Sequence, residues 1–99
     1  MTVNFQYVNM DVSDTLSAIT EEKLNKLAAK FEFIISAQVY FKSDHNDHDA
    51  GKICNIELSL PGPRIFATSN ERNYEASVNE TIRDLKRQLL KRKEIYKVH

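Results

Sequence analysis

Apolar residues recur along this chain in two rhythms, and the switches between them outline its elements. Val3, Phe5 and Tyr7 alternate with Asn4 and Gln6, the period-two pattern of a strand over Thr2–Val8. The rhythm then lengthens. Leu16, Leu24, Leu27 and Phe31 fall on one stripe of a helix, with Ile19 and Ala28 at its edges. Ser13 suits the cap of that helix, and Asp14 its first turn, where a carboxylate meets the positive end of the backbone dipole. With no internal Gly or Pro, the helix is expected to run to about Glu32. Alternation returns over Ser36–Ser43, where Ala37, Val39 and Phe41 oppose Gln38, Tyr40 and Lys42. It appears again over residues 52–60, with Cys54, Ile56, Leu58 and Leu60 directed inward. In the LPGP stretch, Pro61 fits the first central position of a type II turn and Gly62 the second, which needs a positive φ. Residues 64–69 are expected to run back as a fourth strand. Tyr74, Val78, Ile82, Leu85 and Leu89 then restore helical spacing. Asn70 and Asn73 are both candidate caps, and the helix continues toward a fraying end.

The order β-α-β-β-β-α predicts an α+β fold: a four-stranded mixed sheet with two helices packed on one face. Strands joined through a helix should be parallel with a right-handed crossover; strands joined by short loops should be antiparallel. Ninety-nine residues without a repeat or linker predict one domain, residues 1–99, around one modest core.

Composition removes several kinds of chemistry. A single cysteine, Cys54, allows neither an internal disulfide nor a multi-cysteine zinc site. It reads as a small core residue, with no histidine near it in sequence to make it a catalytic thiol. Asp44, His45, Asp47, His48 and Asp49 are all possible ligands, but their spacing matches neither HExxH nor an EF-hand loop. A solvated loop is expected there, with no metal and no cofactor. Glu21 and Glu22 read as helix surface, and Ser13, Ser36 and Ser69 lack the context of a nucleophile elbow. No catalytic residues are assigned, and an enzyme is not expected. No apolar run approaches the ~20 residues that cross a bilayer. The start, MTVNFQYVNMD, has no basic opening and no small-residue cleavage site. Both features predict a cytoplasmic protein without membrane contact.

Charge changes the picture through its placement. Fourteen basic residues balance fourteen acidic ones, yet residues 83–99 hold seven of the basic and only two of the acidic. Lys23, Lys26 and Lys30 share one flank of the first helix. Arg83, Lys86, Arg87, Lys91, Arg92 and Lys93 spread over the second, and Lys97 extends the zone. Packed side by side, the helices would merge these groups into one positive surface, which can attract phosphate although the total is zero. A lysine-rich helix is also an ordinary solvated face, and Glu21, Glu22, Glu32 and Glu80 offset part of the charge. From charge alone both readings stand. Zinc-finger, RRM and KH signatures are absent from the sequence, so RNA contacts are expected mainly to backbone and shape.

Three stretches carry a closer resemblance: DVSDTLSAITEEKLNKLAAKFEFI, IELSLPGPRIFATS and SVNETIRDLKRQLLKRKE. Their order and spacing resemble the ribosome hibernation promoting factor and ribosome-associated protein Y family, also called the sigma-54 modulation family, over nearly the whole chain. The resemblance implies a small β-α-β-β-β-α domain in the messenger- and transfer-RNA channel of the small ribosomal subunit. It would contact chiefly 16S rRNA, block messenger and transfer RNA, and silence translation under stress. It also implies a domain monomeric off the ribosome, without DNA binding. Pairing of inactive ribosomes, with a separate ribosome modulation factor, belongs to short members. The chain lacks the extra domain of long forms and the acidic tail of protein Y, which favours the short hibernation-factor reading. The family's basic first-helix positions fall on Lys23, Lys26 and Lys30. Its terminal pattern falls on Leu85, Arg87, Gln88, Leu89, Lys91 and Lys93, so that Arg87, Lys91 and Lys93 would meet phosphates. Lys86 and Arg92 would reinforce them, and Leu85 and Leu89 would hold the helix to the core. Departures are visible. Asn73, Tyr74 and Glu75 place the aromatic one position away from the family's tyrosine, about 100° around a helix, which suits Tyr74 to core packing. Asp84 stands where short relatives can have lysine, and LPGP is stiffer than a glycine-rich turn. A general structured-RNA-binding module and a protein-interaction domain are the alternative readings.

Overall fold

The computed structural model describes residues 1–46 and 49–97. Along the chain come β1 (Thr2–Val8), α1 (Asp14–Lys30), β2 (Ser36–Ser43), β3 (Lys52–Ser59), β4 (Ile65–Glu71) and α2 (Tyr74–Lys97). The expected α+β architecture is the one observed. The sheet order is β1-β2-β3-β4, with β1 and β2 parallel and the later pairs antiparallel. Both helices cover one face.

Register explains why alternation was so visible. Val3, Ala37, Leu58 and Ile65 form one cross-strand row, Phe5, Val39, Ile56 and Ala67 the next, and Tyr7, Phe41 and Cys54 continue the series. All point at the helices, because successive side chains on a strand alternate between faces. The residues from β2, β3 and β4 in these rows are buried. Val3, Phe5 and Tyr7 are only partly covered because β1 is an edge strand. Phe41 anchors one end of the core: Tyr7 lies 5.2 Å from it and Tyr74 meets it edge-on at 5.7 Å between ring centroids.

Ser13 caps α1, its Oγ accepting from the Leu16 amide at 3.2 Å. Tyr7 fastens this end to the sheet by donating to the Ser13 carbonyl at 2.7 Å, with Ser17 Oγ also 2.7 Å away. The helix stops at Lys30, short of Glu32, because Phe31 leaves helical geometry (φ −127°) and turns into the core. Ile34 follows it inward. At the other end, β4 runs two residues beyond Ser69, which removes Asn70 as a cap. Its Oδ1 instead accepts from the Gly51 amide at 2.6 Å. Asn73 caps α2, accepting from the Ala76 amide at 2.8 Å. Gly62 has φ +91°, as the turn reading requires.

The helices also bury hydroxyls that periodicity does not mark. Thr20 donates to the Leu16 carbonyl at 2.8 Å and Thr81 to the Ser77 carbonyl at 2.7 Å. Ser77 Oγ reaches the Lys52 carbonyl on β3. Each hydroxyl gains a partner and can therefore be buried at little cost. The apolar contribution remains the larger one: Val78, Leu85 and Leu89 are fully buried, each worth roughly 1.5–3 kcal/mol. Among the described residues no helix is long and apolar enough to cross a membrane.

Candidate nucleic-acid interface

Lysines at three- and four-residue spacing keep to one flank of a helix. On α1 that spacing aligns Lys23, Lys26 and Lys30; on α2 it aligns Asn79, Ile82 and Lys86. The two flanks face each other across a groove of about 250 Å³, floored by Leu27 and Ile82 and rimmed by the four lysines and Asn79. Four of the eight candidate residues therefore converge. Lys30 is shared with a neighbouring cleft toward the end of α2, which also includes Lys93, Lys97, Phe33, Tyr96 and Glu32. Phe33 and Tyr96 meet edge-to-face at 4.9 Å there, and Lys93 Nζ lies 6.0 Å from the Phe31 ring centre.

The remaining three candidates lie elsewhere. Arg87 and Lys91 are exposed and lie outside the groove; Arg87 is rotated about 100° from Lys86 by the pitch of the helix. Arg87 NH2 is 3.3 Å from Asp84 Oδ1. Arg92 reaches toward the β3–β4 turn, where its guanidinium donates to the Pro61 carbonyl at 3.1 Å. Tyr96 donates to the same carbonyl.

Which cations are already paired matters to what they can bind. Arg83 pairs with Glu80, Arg87 with Asp84 and Lys97 with Glu94, all along α2, and Lys26 pairs with Glu22 on α1. These exposed pairs hold weakly and exchange readily. Among the described residues, Lys23, Lys30, Lys86, Lys91 and Lys93 have no carboxylate within ion-pair distance. Ten of the fourteen basic residues belong to the two helices, whereas six of the thirteen described acidic residues lie in the sheet and loops. The opposite face of the sheet presents Gln38, Tyr40, Asn55 and Thr68, with Arg64 and Glu57 paired to each other at 2.7 Å.

Neither group with a displaced pKa belongs to the groove. Burial pushes the Cys54 thiol up to about 12, slightly opposed by a hydrogen bond from Thr81. Burial also raises the Tyr74 hydroxyl, which donates to the Lys42 carbonyl at 3.2 Å with the Met10 sulfur 3.1 Å away. Tyr74 is thus a packing residue, as its shifted position suggested. Among the described residues no group of three or more His, Cys, Asp or Glu is placed to hold a metal. Asp47 and His48 of the polar loop lie outside the described residues, as do Val98 and His99 beyond α2. Asn79, Phe33 and Tyr96 were not marked by charge reasoning. Asn79 could have been found by stepping back seven residues from Lys86 along one helix face.

This fold has relatives. The structure of a ribosomal subunit interface protein from Coxiella burnetii superposes with a TM-score of 0.82 at 26% identity, covering 95% of this chain and 99% of that one. The N-terminal domain of Thermus thermophilus Protein Y has the same fold, with a TM-score of 0.71 at 17% identity over 89% of this chain and 91% of that one. A search of curated proteins gives no significant sequence match. The profile of the family described as sigma 54 modulation protein / S30EA ribosomal protein matches residues 3–97. With nearly the whole chain matched and a cationic helical layer of the kind an RNA-associated protein needs, the chain belongs to the sigma-54 modulation / S30EA family of ribosome-associated proteins.

Proposed function

We propose that this chain is a ribosome hibernation factor that occupies the decoding channel of the small subunit and bars messenger and transfer RNA by bulk. Its partner is chiefly 16S rRNA, and with a separate modulation factor it favours paired, inactive ribosomes in the cytoplasm. The observation that carries this reading is the run of lysines along the two helices of a ribosome-associated fold, of which only Lys26 and Lys97 among those bordering the clefts are in ion pairs, exposed ones with Glu22 and Glu94. Lys23, Lys26, Lys30, Lys86 and Lys93 border the clefts; Arg87 and Lys91 widen the surface to the exposed face of α2. Arg92 reinforces it from the turn side, with part of its donor capacity engaged at Pro61.

The mechanism needs no bond made or broken. Phosphate contacts position the body in the channel, and arginine adds forked donors where a phosphate presents two oxygens. Release of condensed counterions supplies much of the affinity, which makes binding salt-dependent.

Sedimentation of the purified protein with ribosomes tests the proposal. The expected result is co-sedimentation with small subunits, loss of messenger- and transfer-RNA binding, and more paired ribosomes when modulation factor is added. Binding to small subunits no tighter than to unrelated duplex RNA, or undisturbed entry of both ligands, would overturn the blocking mechanism.

A further inference from the structure

We propose that the groove between α1 and α2 is a pocket for one unpaired RNA base, with the lysine rim holding the phosphates on either side of it. The proposal rests on the RNA-binding reading and adds a contact that a purely electrostatic surface would not make. A track for phosphates alone needs only cations. This groove has an apolar floor, formed by Leu27, which is buried, and Ile82, which is partly buried, beneath lysines from both helices. The complement to such a site is a flat, weakly hydrated ring carried between two anions, which is a nucleotide within a chain.

Size and polarity agree with that occupant. A volume of about 250 Å³ falls just below the ~300 Å³ at which clefts for drug-sized ligands begin, so it suits a single ring system. Lys23 and Lys30 are separated by about 10 Å along α1, enough for cations to flank an inserted ring instead of crowding one phosphate. Lys26 is held only by an exposed pair with Glu22 at 3.5 Å, readily exchanged for phosphate. Asn79 supplies the polar edge. Its side-chain amide offers both donors and an acceptor, is exposed at the rim, and has no hydrogen-bond partner among the described residues. A duplex keeps its bases stacked inside, so the ligand must be a loop, bulge or single strand.

The test uses the full chain and a short single-stranded RNA carrying 2-aminopurine at its centre, beside the same oligomer with an abasic centre. Fluorescence anisotropy should show about tenfold tighter binding of the base-bearing RNA, the size expected when one face of a ring, roughly 50–60 Å² of apolar surface, leaves water on an aliphatic floor. Asn79→Trp leaves the charge unchanged and fills the groove from an exposed position. It should bring the two affinities together while the salt slope stays as in the parent. Asn79→Ala, which leaves the groove open, should keep a reduced preference for the base and serves if the larger side chain impairs folding. Equal binding of the two oligomers by the parent protein, binding of neither, or an Asn79→Trp protein that folds and keeps the tenfold ratio would overturn the pocket. Small-subunit sedimentation on the same samples separates the two claims. Lysine-dependent binding of subunits without a base preference removes the pocket and leaves the hibernation reading in place; absence of subunit binding removes that reading as well.

Discussion

Cys54 sits near the start of β3 with no exposed surface, and its backbone carbonyl accepts from Thr81 of α2 at 3.3 Å. With its thiol pushed up to about 12, it stays protonated and unreactive in the folded chain. A disulfide reagent should therefore modify the native protein only as fast as it opens, and the urea-unfolded chain far faster. The shift also has a sign in stability. From about pH 9 to 12 the unfolded chain releases a proton that the native state retains, so the native state binds more protons and stability falls as pH rises. Cys54→Ala should weaken this alkaline decline, measured as urea midpoints at pH 7 and pH 10. An identical decline in parent and variant would contradict the assignment. Lys91 provides the opposite case at the same scale: exposed, unpaired among the described residues and remote from the core. Lys91→Ala should shift stability by less than about 0.5 kcal/mol, yet lower the salt slope of small-subunit binding by about one. Titration across a salt series measures it, and an unchanged slope would remove Lys91 from the contact.

At the scale of elements, the final turns of α2 depend on the β3–β4 turn. Arg92 and Tyr96 both end on the Pro61 carbonyl, and a Cβ on Gly62 would come 3.2 Å from the Arg92 guanidinium while occupying a φ of +91°. Gly62→Ala should cost about 1–2 kcal/mol, since the left-handed backbone is strained for alanine. Tyr96→Phe should raise amide exchange in residues 91–97 severalfold, the effect of losing a hydrogen bond worth about 1 kcal/mol. Exchange confined to its parental rate would show that the turn does not hold the helix. The strands and helix stripes were legible in the sequence because a sheet with one covered face writes its burial as alternation, and the Ala37–Val39–Phe41 series shows it plainly. Asn70 and Asn73 could not be separated as caps by residue type; the extra length of β4 decides between them. Thr20, Ser77 and Thr81 were hidden because a polar residue becomes a core residue only when a carbonyl is in reach. Lys23, Lys26 and Lys30 were readable as one flank, but their meeting with Lys86 depends on how α2 is rotated against α1. That rotation is set by which side chains, among them Val78, Leu85 and Leu89, face the sheet.

The whole molecule measures 49 × 23 × 19 Å, and its long dimension owes much to α2, whose 24 residues span about 36 Å. Replacing Lys23, Lys26 and Lys30 together by Gln should lower the salt slope of small-subunit binding by up to about three while the urea midpoint changes little, because none of the three is buried. Filter binding at several salt concentrations measures the slope, and retention of the parental value would exclude this flank of α1 from the interface. The separation of charge between the helical layer and the rest has a consequence of its own. With a formal total of zero, the chain is not drawn as a monopole toward a polyanion, and it behaves instead as an electric dipole. Inside the steep field near RNA, within roughly 8 Å at physiological ionic strength, such a body experiences a torque that turns its helices inward before any contact forms. Orientation is thereby selected during approach, with the cationic helices toward the polyanion and the more acidic sheet and loops turned away from it.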